Sequence, residues 1–177
     1  DTALASIVTH RDAASVASCV AFTDLLTRLL RLPAPPTADW ILGTFVATVR
    51  QVCTDVPYRP HGGRFEGSES SFADYLERVL DTATRERWNT REACEAWLSG
   101  AYLLETVPSV LWILASHAHD AEEAIARAVN DAHDNDTVAA IVGAAVGALH
   151  GARALPTSWR AGLLGRTGAT DDGLVFR

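Results

Sequence analysis

The longest apolar stretch of the chain, Val138–Leu149, is dense in alanine and glycine and directly follows Asp134–Thr137. It falls short of the roughly 20 residues needed to cross a bilayer, so it predicts a buried helix. Asp and Thr are preferred where helices begin, because their oxygens accept hydrogen bonds from the first free backbone N–H groups. The sequence therefore predicts a helix that begins at Asp134 and ends near His150 and Gly151.

Apolar residues elsewhere recur close to the 3.6-residue period of amphipathic helices, and no segment shows convincing strand alternation. The chain has 177 residues, which suffice for one domain with a sizeable core. We therefore predict an all-α fold in which residues 1–177 form a single helical domain. Further helices are predicted near residues 15–32, 40–53, 71–83, 90–99, 103–115 and 121–129, with a short helix from 156 and a loop-like tail from 165.

Charge and cysteine usage exclude several classes of protein. The formal net charge of −7 argues against unaided binding to a nucleic-acid backbone and leaves no basic face for a membrane. Cys19, Cys53 and Cys94 form no CxxC pair, so neither a zinc knuckle nor a disulfide scaffold is indicated. Cys19 and Cys94 lie in predicted helices, where we expect buried free thiols. With no signal peptide visible, a reducing cytoplasm is the expected location.

Oxygen donors are concentrated at the start of the Asp134 helix, where Asp134, Asp136 and Thr137 supply two carboxylates and a hydroxyl. Hard oxygen ligands at that density suit Mg²⁺ or Ca²⁺ better than zinc. The dipole of a helix repels cations from its N-terminus, so a metal ion there would need these carboxylates. The same residues could also act as an ordinary N-cap, and their chemistry leaves both alternatives open.

Three blocks of residues, in order along the chain, carry a resemblance to a known family. The blocks are Val8–His10 with Asp12, then Ser99–Pro108, then Ala128–Asn130 through Asp134–Ala144 to Gly147, Gly151, Leu155–Pro156 and Trp159. Their order resembles the ADP-ribosylglycohydrolase family, which includes dinitrogenase-reductase-activating glycohydrolases and ADP-ribosyl-acceptor hydrolases. They span most of the chain, and the resemblance implies a compact orthogonal multi-helix bundle of that family's type.

The resemblance implies a hydrolase that cleaves the glycosidic bond between ADP-ribose and a modified acceptor, of the ADP-ribosylarginine type or related. Its partners would be ADP-ribose, or an ADP-ribosylated protein or small molecule. Asp134, Asp136 and Thr137 match the family's metal-binding motif, and two Mg²⁺ ions are implied for the complete site. The two aspartates are the candidate catalytic residues, since bound Mg²⁺ would orient the ribose and activate a water.

Three further residues match positions beside the nucleotide. His10 could hydrogen-bond a phosphate or the ribose, or could be a capping histidine. Gly100 would let the backbone approach the ligand closely, because glycine has no Cβ. Tyr102 could stack on adenine or pack on the ribose, or could be a half-buried aromatic residue at a helix start.

The chain departs from the family pattern in two ways. Ala132 and His133 stand where the family usually has glycines, and His133 could reach a ligand or point outward. The family's N-terminal metal motifs do not precede Asp1, and the chain contains no methionine. We therefore expect the C-terminal portion of the domain, carrying half of a binuclear site that a missing N-terminal segment of the same protein completes. Thr170–Asp172 spells one such motif at the wrong end and is expected to be a solvated turn.

Two alternatives to the enzyme stay open. A lone set of Asp134, Asp136 and Thr137 would hold Mg²⁺ weakly, because Mg²⁺ dehydrates reluctantly and requires near-octahedral geometry. A non-catalytic module that binds ADP-ribose or a related nucleotide, with a degenerate metal site, is therefore one alternative. A structural helical domain in which the aspartates are only caps is the other.

Residues 57–70 are rich in glycine, proline and serine and form the longest non-periodic segment. Long loops in compact domains are usually functional or disordered. Arg59, His61 and Arg64 could meet a pyrophosphate, so a lid over the ligand is one interpretation and a variable exposed loop is the other.

Overall fold

The computed structural model describes residues 1–163, and within that range it is all-α apart from one pair of two-residue strands. Thr170–Asp172 and the tail predicted from residue 165 lie outside the described residues. The elements are α1 (Thr2–Ile7), α2 (Ala13–Leu29), α3 (Ala38–Val52), β1 (Pro57–Tyr58), β2 (Ser70–Ser71), α4 (Phe72–Glu86), α5 (Thr90–Ala96), α6 (Leu103–His117), α7 (Ala121–Asp131), α8 (Asn135–His150) and α9 (Thr157–Leu163). The prediction of an all-α fold is confirmed, and α1 is the helix that the sequence pattern missed.

Side-chain caps set where most of the long helices begin. The N-cap residues of α2, α3, α4, α5 and α7 each accept a hydrogen bond from a backbone N–H in the first turn. Helix α5 has a full capping box, in which Asn89 and Glu92 each accept a hydrogen bond from the other's backbone N–H. The N-cap residues of α1, α6 and α8 make no side-chain capping hydrogen bond, and for α8 this residue is Asp134.

Helix α6 lies at the centre of the bundle and packs against α2, α3, α4, α5, α7 and α8. Its buried residues run almost without interruption from Leu104 to Leu114. Pro108 lies inside the helix and has no N–H to donate to the carbonyl of Leu104, four residues earlier. The hydroxyl of Tyr75 on α4 donates to that carbonyl instead, at 2.9 Å. The proline is therefore accommodated by a hydrogen bond from a neighbouring helix.

Helix α8 is buried on one face only, whereas its apolar sequence predicts a helix that is buried all round. Val138, Val142, Ala145 and Val146 form its buried face, while Ala140 and Ala144 are exposed. The central helix is α6, and α8 packs mainly on α6 and α7. Over residues 1–163, no helix combines the length and apolarity that a membrane span requires.

The cysteine predictions had mixed outcomes. Cys94 is buried, as expected, and burial raises the pKa of its thiol to about 11. Cys19 is exposed, so its predicted burial was wrong. Cys19 lies on the face of α2 that lines a cavity.

Residues 57–71 are an ordered segment. Strands β1 and β2 pair antiparallel, with Pro57 opposite Ser71 and Tyr58 opposite Ser70. Gly63 has a positive φ of 72°, and a Cβ there would lie 2.5 Å from the carbonyl oxygen of Ala96. A glycine is needed at this position because the segment packs directly on the end of α5.

Candidate functional site

A cavity of about 830 Å³ brings the three sequence blocks together. His10 from the first block, Tyr102 from the second and Thr137 from the third all line it. These residues are far apart in the chain, and no local pattern fixes their separation in space. Tertiary packing therefore brings candidate residues from all three blocks together at this cavity.

The chemistry of the cavity wall follows from the elements that form it. Helix interiors supply an apolar surface made by Phe22, Phe45, Val107, Val110, Leu111 and Ile141. Helix ends and the turns before them supply polar groups, including Thr9, His10, Asp12, Tyr102 and Thr137. An apolar pocket with a few convergent polar groups is the usual form of a small-ligand site.

His10 lies in the turn between α1 and α2. Its backbone N–H donates to the carbonyl of Ser6 at 2.9 Å, and its Nδ1 lies 3.0 Å from the hydroxyl of Thr9. The cap of α2 is Asp12, whose carboxylate accepts from the N–H of Ser15 at 2.8 Å. Burial disfavours the charged form of Asp12, but hydrogen bonds from Ser15 outweigh it and lower the pKa of that carboxyl. His10 is therefore not a capping histidine, and its exposed ring lines the cavity.

Tyr102 is the N-cap residue of α6 and is half-buried. His61 stacks on one face of its ring, with the two ring centroids 3.9 Å apart and 12° between the planes. Burial raises the pKa of Tyr102, and the nearby charge of Asp12 adds to the shift. Because His61 covers one face, a nucleobase in the cavity could stack only on the other.

Gly100 has a structural explanation that the sequence did not reveal. Its N–H donates to Oε2 of Glu105 at 3.1 Å, and a Cβ at Gly100 would lie 2.5 Å from that oxygen. The hydroxyl of Thr106 donates to the carbonyl of Gly100 at 2.8 Å. Gly100 is not part of the cavity lining, although its neighbour Ala101 is. The close approach at Gly100 is to the buried carboxylate of Glu105, whose side chain would have to shift to admit a Cβ.

The Asp134–Thr137 turn begins α8 at the edge of the cavity. Thr137 lines the cavity, while Asp134 and Asp136 flank it on the same turn without contributing to the lining. Asp136 accepts a hydrogen bond from the N–H of Thr137 at 2.9 Å. The carboxylate of Asp134 makes no capping hydrogen bond, although Asp134 occupies the N-cap position. Of these two side-chain carboxylates, that of Asp136 accepts from a backbone N–H of its own turn, and that of Asp134 makes no such capping bond.

A direct connection between the second and third blocks was not visible in the sequence. The N–H of Asp134 donates to the carbonyl of Ser99 at 3.0 Å. The N–H of His133 donates to the hydroxyl of Ser99 at 3.0 Å, and its ring Nδ1 lies 2.5 Å from the carbonyl of Leu98. The start of α8 is thereby joined to the turn that precedes α6. His133 neither reaches into the cavity nor points freely outward.

The cationic side chains of the 57–71 segment are engaged by acidic neighbours. Arg59 donates to Glu69 at 2.7 Å, and Arg64 donates to Glu86 at 2.7 Å. The Arg64 guanidinium also lies 5.0 Å from the centroid of the Trp88 ring. These contacts hold the two arginine side chains on the outer surface of the segment. The segment meets the cavity through Tyr58, which lines it, and through His61, which stacks on Tyr102.

The candidate metal ligands form a small set. No group of three or more His, Cys, Asp or Glu side chains with metal-binding geometry occurs among residues 1–163. Two carboxylates and a hydroxyl on one helical turn match the donor preference of Mg²⁺. Asp134, Asp136 and Thr137 therefore fit part of a magnesium site and do not form a complete one in the described part of the chain.

Comparison with known proteins gives one match. The model of the ADP-ribosylglycohydrolase family matches residues 1–175, which is almost the whole chain. Neither the curated proteins nor the solved structures include a significant match. Members of this family hydrolyse glycosidic bonds in ADP-ribosylated substrates. The match and the all-α architecture agree, and the chain belongs to the ADP-ribosylglycohydrolase family.

Proposed function

We propose that this protein hydrolyses the glycosidic bond between ADP-ribose and a modified acceptor, of the ADP-ribosylarginine type or related, with Mg²⁺ in a binuclear site. The observation that carries the proposal is the shared cavity, lined by His10, Tyr102 and Thr137 from three separate blocks. Its volume of about 830 Å³ falls within the usual range for small-molecule sites, about 300–1,000 Å³. The three free cysteines fit the reducing cytoplasm that we propose as its compartment.

Asp134, Asp136 and Thr137 are the proposed magnesium ligands, with the two aspartates serving catalysis through the metal. Asp134 supports this role because its carboxylate is not used as a cap, whereas the aspartates before α2 and α7 do cap their helices. Among the described aspartate N-caps, only Asp1 before the short helix α1 likewise makes no capping bond. When bound, Mg²⁺ supplies positive charge that orients the ribose hydroxyls and makes a water a better nucleophile.

The nucleotide contacts are assigned to residues at the helix ends. His10 presents an exposed imidazole that can donate to a phosphate or ribose oxygen. Tyr102 offers the ring face that His61 does not cover, which suits stacking of the adenine. Gly100 keeps the turn before Tyr102 closely packed on Glu105, so we propose that it acts by placing Tyr102 and the backbone beside the nucleotide.

We propose that the remaining metal ligands come from another segment of the same protein. The first support is chemical, since Asp134 and Asp136 alone supply too few carboxylates for two divalent ions. The second is an exposed apolar face on α1 and the turn after it, where Leu4 is 71 % and Val8 is 83 % exposed. This face adjoins Ser6 and Thr9 of the cavity lining. Clustered apolar side chains in water commonly mark a surface that another element covers.

The alternative is a module that binds ADP-ribose or a related nucleotide without hydrolysing it. The small ligand set at Asp134–Thr137 favours this alternative, because weak metal binding would leave the cavity able to bind but not to turn over. ADP-ribose binding that is unaffected by EDTA and gives no turnover would select it.

The test is release of ADP-ribose from an ADP-ribosylated arginine substrate, with Mg²⁺ and again with EDTA. The chain is assayed beside any longer form of the protein. The informative variant is Asp136→Asn, and Asp39→Asn is its matched control because Asp39 is an exposed aspartate at the same position of α3. We expect release that EDTA abolishes and that Asp39→Asn leaves unchanged. Asp136→Asn should lower release by at least about 10- to 100-fold, because loss of even a residue behind the metal ligands typically costs that much. Release that persists in EDTA, or equal activity in both variants, would overturn the proposal.

A further inference from the structure

The turn before α6 holds two non-glycine residues in the left-handed region. Leu98 has a φ of 74° and Ser99 has a φ of 40°. Backbone conformations of this kind cost about 1–3 kcal/mol each and persist only where the surrounding contacts over-determine them. Ser99 is fully buried, so its polar groups must be satisfied within the protein. The contacts that hold this turn therefore fix its position relative to the neighbouring helices.

Those contacts come from two sides. On one side the first turn of α6 holds Gly100, through Glu105 and Thr106. On the other side His133 and Asp134 supply three hydrogen bonds to Leu98 and Ser99, at 2.5–3.0 Å. Two of the three come from His133, one from its backbone N–H and one from its ring.

We infer that His133 is a positioning residue, whose ring fixes the Asp134 end of α8 to the Leu98–Ser99 turn and so sets Asp134–Thr137 relative to Tyr102. A carbonyl oxygen can only accept, so Nδ1 of His133 carries the proton in this hydrogen bond. The inference rests on the proposed function for the meaning of that geometry, since it concerns residues assigned there to the metal and the nucleotide.

The position of Nδ1 in the His133 side chain allows it to reach the carbonyl of Leu98. Nδ1 of histidine and Nδ2 of asparagine stand at the same number of bonds from the backbone, so His133→Asn can keep the donor to Leu98. His133→Ala removes that donor and leaves the backbone hydrogen bond to Ser99 in place. The ring is exposed, so its loss should loosen the turn locally with little change in global stability.

A matched control exists at the other end of the same helix. The ring Nε2 of His150 donates to the carbonyl of Ala118 at 2.6 Å, which is also an imidazole-to-carbonyl hydrogen bond formed by α8. His150→Ala therefore removes a bond of the same kind from the same helix, away from Asp134. A general weakening of α8 would appear in both alanine variants, whereas a positioning effect would appear only at His133.

The experiment measures amide hydrogen exchange at Asp134 by NMR, and the Kd for ADP-ribose with Mg²⁺, in the wild type, His133→Ala, His133→Asn and His150→Ala. For His133→Ala we expect faster exchange at Asp134 and weaker ADP-ribose binding, each by about two- to tenfold, the range set by one ordinary hydrogen bond. His133→Asn should restore both, and His150→Ala should change neither.

The outcomes separate the two proposals. Unchanged exchange at Asp134 in His133→Ala, or faster exchange that His133→Asn does not restore, overturns the positioning role. Intact ADP-ribose binding in His133→Ala, beside normal binding in the wild type, also overturns it. If no form binds ADP-ribose while exchange at Asp134 follows the expected pattern, the proposed function fails and His133 still positions the start of α8.

Discussion

Replacing Tyr75 by phenylalanine tests how the bundle accommodates the proline at its centre. The change removes only the hydroxyl that donates to the carbonyl of Leu104. Pro108 has no N–H to take its place, and Leu104 is fully buried, so water cannot reach the carbonyl freely. A buried acceptor left without a partner costs about 1–3 kcal/mol, and we expect Tyr75→Phe to lower the free energy of unfolding by that amount.

The measurement is urea unfolding followed by circular dichroism, with the free energy extrapolated to water. Tyr102→Phe is the control, because its hydroxyl makes only an exposed 3.5 Å contact to the carbonyl of Arg59. Loss of that contact should change stability by less than about 0.5 kcal/mol, as for other surface substitutions. Equal effects of the two substitutions would refute the assignment of a buried hydrogen bond to Tyr75.

A double-mutant cycle sharpens the test. Pro108→Ala gives residue 108 an N–H that can donate to Leu104, so Tyr75→Phe should cost less in that background. The cycle cancels the packing lost with the proline ring and leaves the coupling between the two donors, which we expect to be at least about 0.5 kcal/mol for residues sharing one acceptor. A Tyr75→Phe effect that is the same in both backgrounds would contradict the explanation.

Two further predictions concern stability alone. Burial raises the pKa of the Cys94 thiol from about 9 to about 11, so the unfolded chain loses this proton first and the free energy of unfolding should fall as pH rises from 9 to 11. Urea unfolding across that range should show a fall that is smaller in Cys94→Ala by up to about 3 kcal/mol. Asp120→Ala, which removes a working cap, should cost about 1 kcal/mol. Asp134→Ala should cost less than about 0.5 kcal/mol, the helix-dipole contribution alone, and equal losses in urea unfolding would show that Asp134 is a cap after all.

The helices were predictable because each has a local cause. Apolar periodicity marked α2, α3 and α4, and their N-caps are short polar residues that accept from the first turn. Helix α1 was missed because it is a six-residue element whose apolar residues Leu4 and Ile7 face outward, so periodicity gave no signal for a core. The pair of strands at Pro57–Tyr58 and Ser70–Ser71 was missed because a strand of two residues is too short to show alternation.

The candidate site could be predicted only where a family motif marked its residues. His10, Tyr102 and Thr137 were found through the family's blocks, and their meeting at one cavity depends on tertiary packing that no local pattern encodes. The stacking of His61 on Tyr102 joins residues that are far apart in the chain, and no sequence pattern indicated it. The hydrogen bonds of His133 also had no sequence signal, since its partners are the backbone carbonyl of Leu98 and the side-chain hydroxyl of Ser99.

At the start of α8, the structure departs from the usual capping preference of aspartate. Asp134 occupies the N-cap position that aspartate prefers, and the aspartates before α2 and α7 bond to the first turn there, whereas Asp1 before the short helix α1 does not. Helix α8 begins without that bond, and its first turn is instead held from outside by Ser99. The carboxylate of Asp134 is therefore not engaged by its own helix, and the helix start is tied to the Leu98–Ser99 turn by the backbone N–H of Asp134. Local preference and fold usually agree in proteins, so the absence of a capping bond from the aspartate before α8 is consistent with the proposal that Asp134 serves a metal ion, and the stability of Asp134→Ala tests whether it is only a cap.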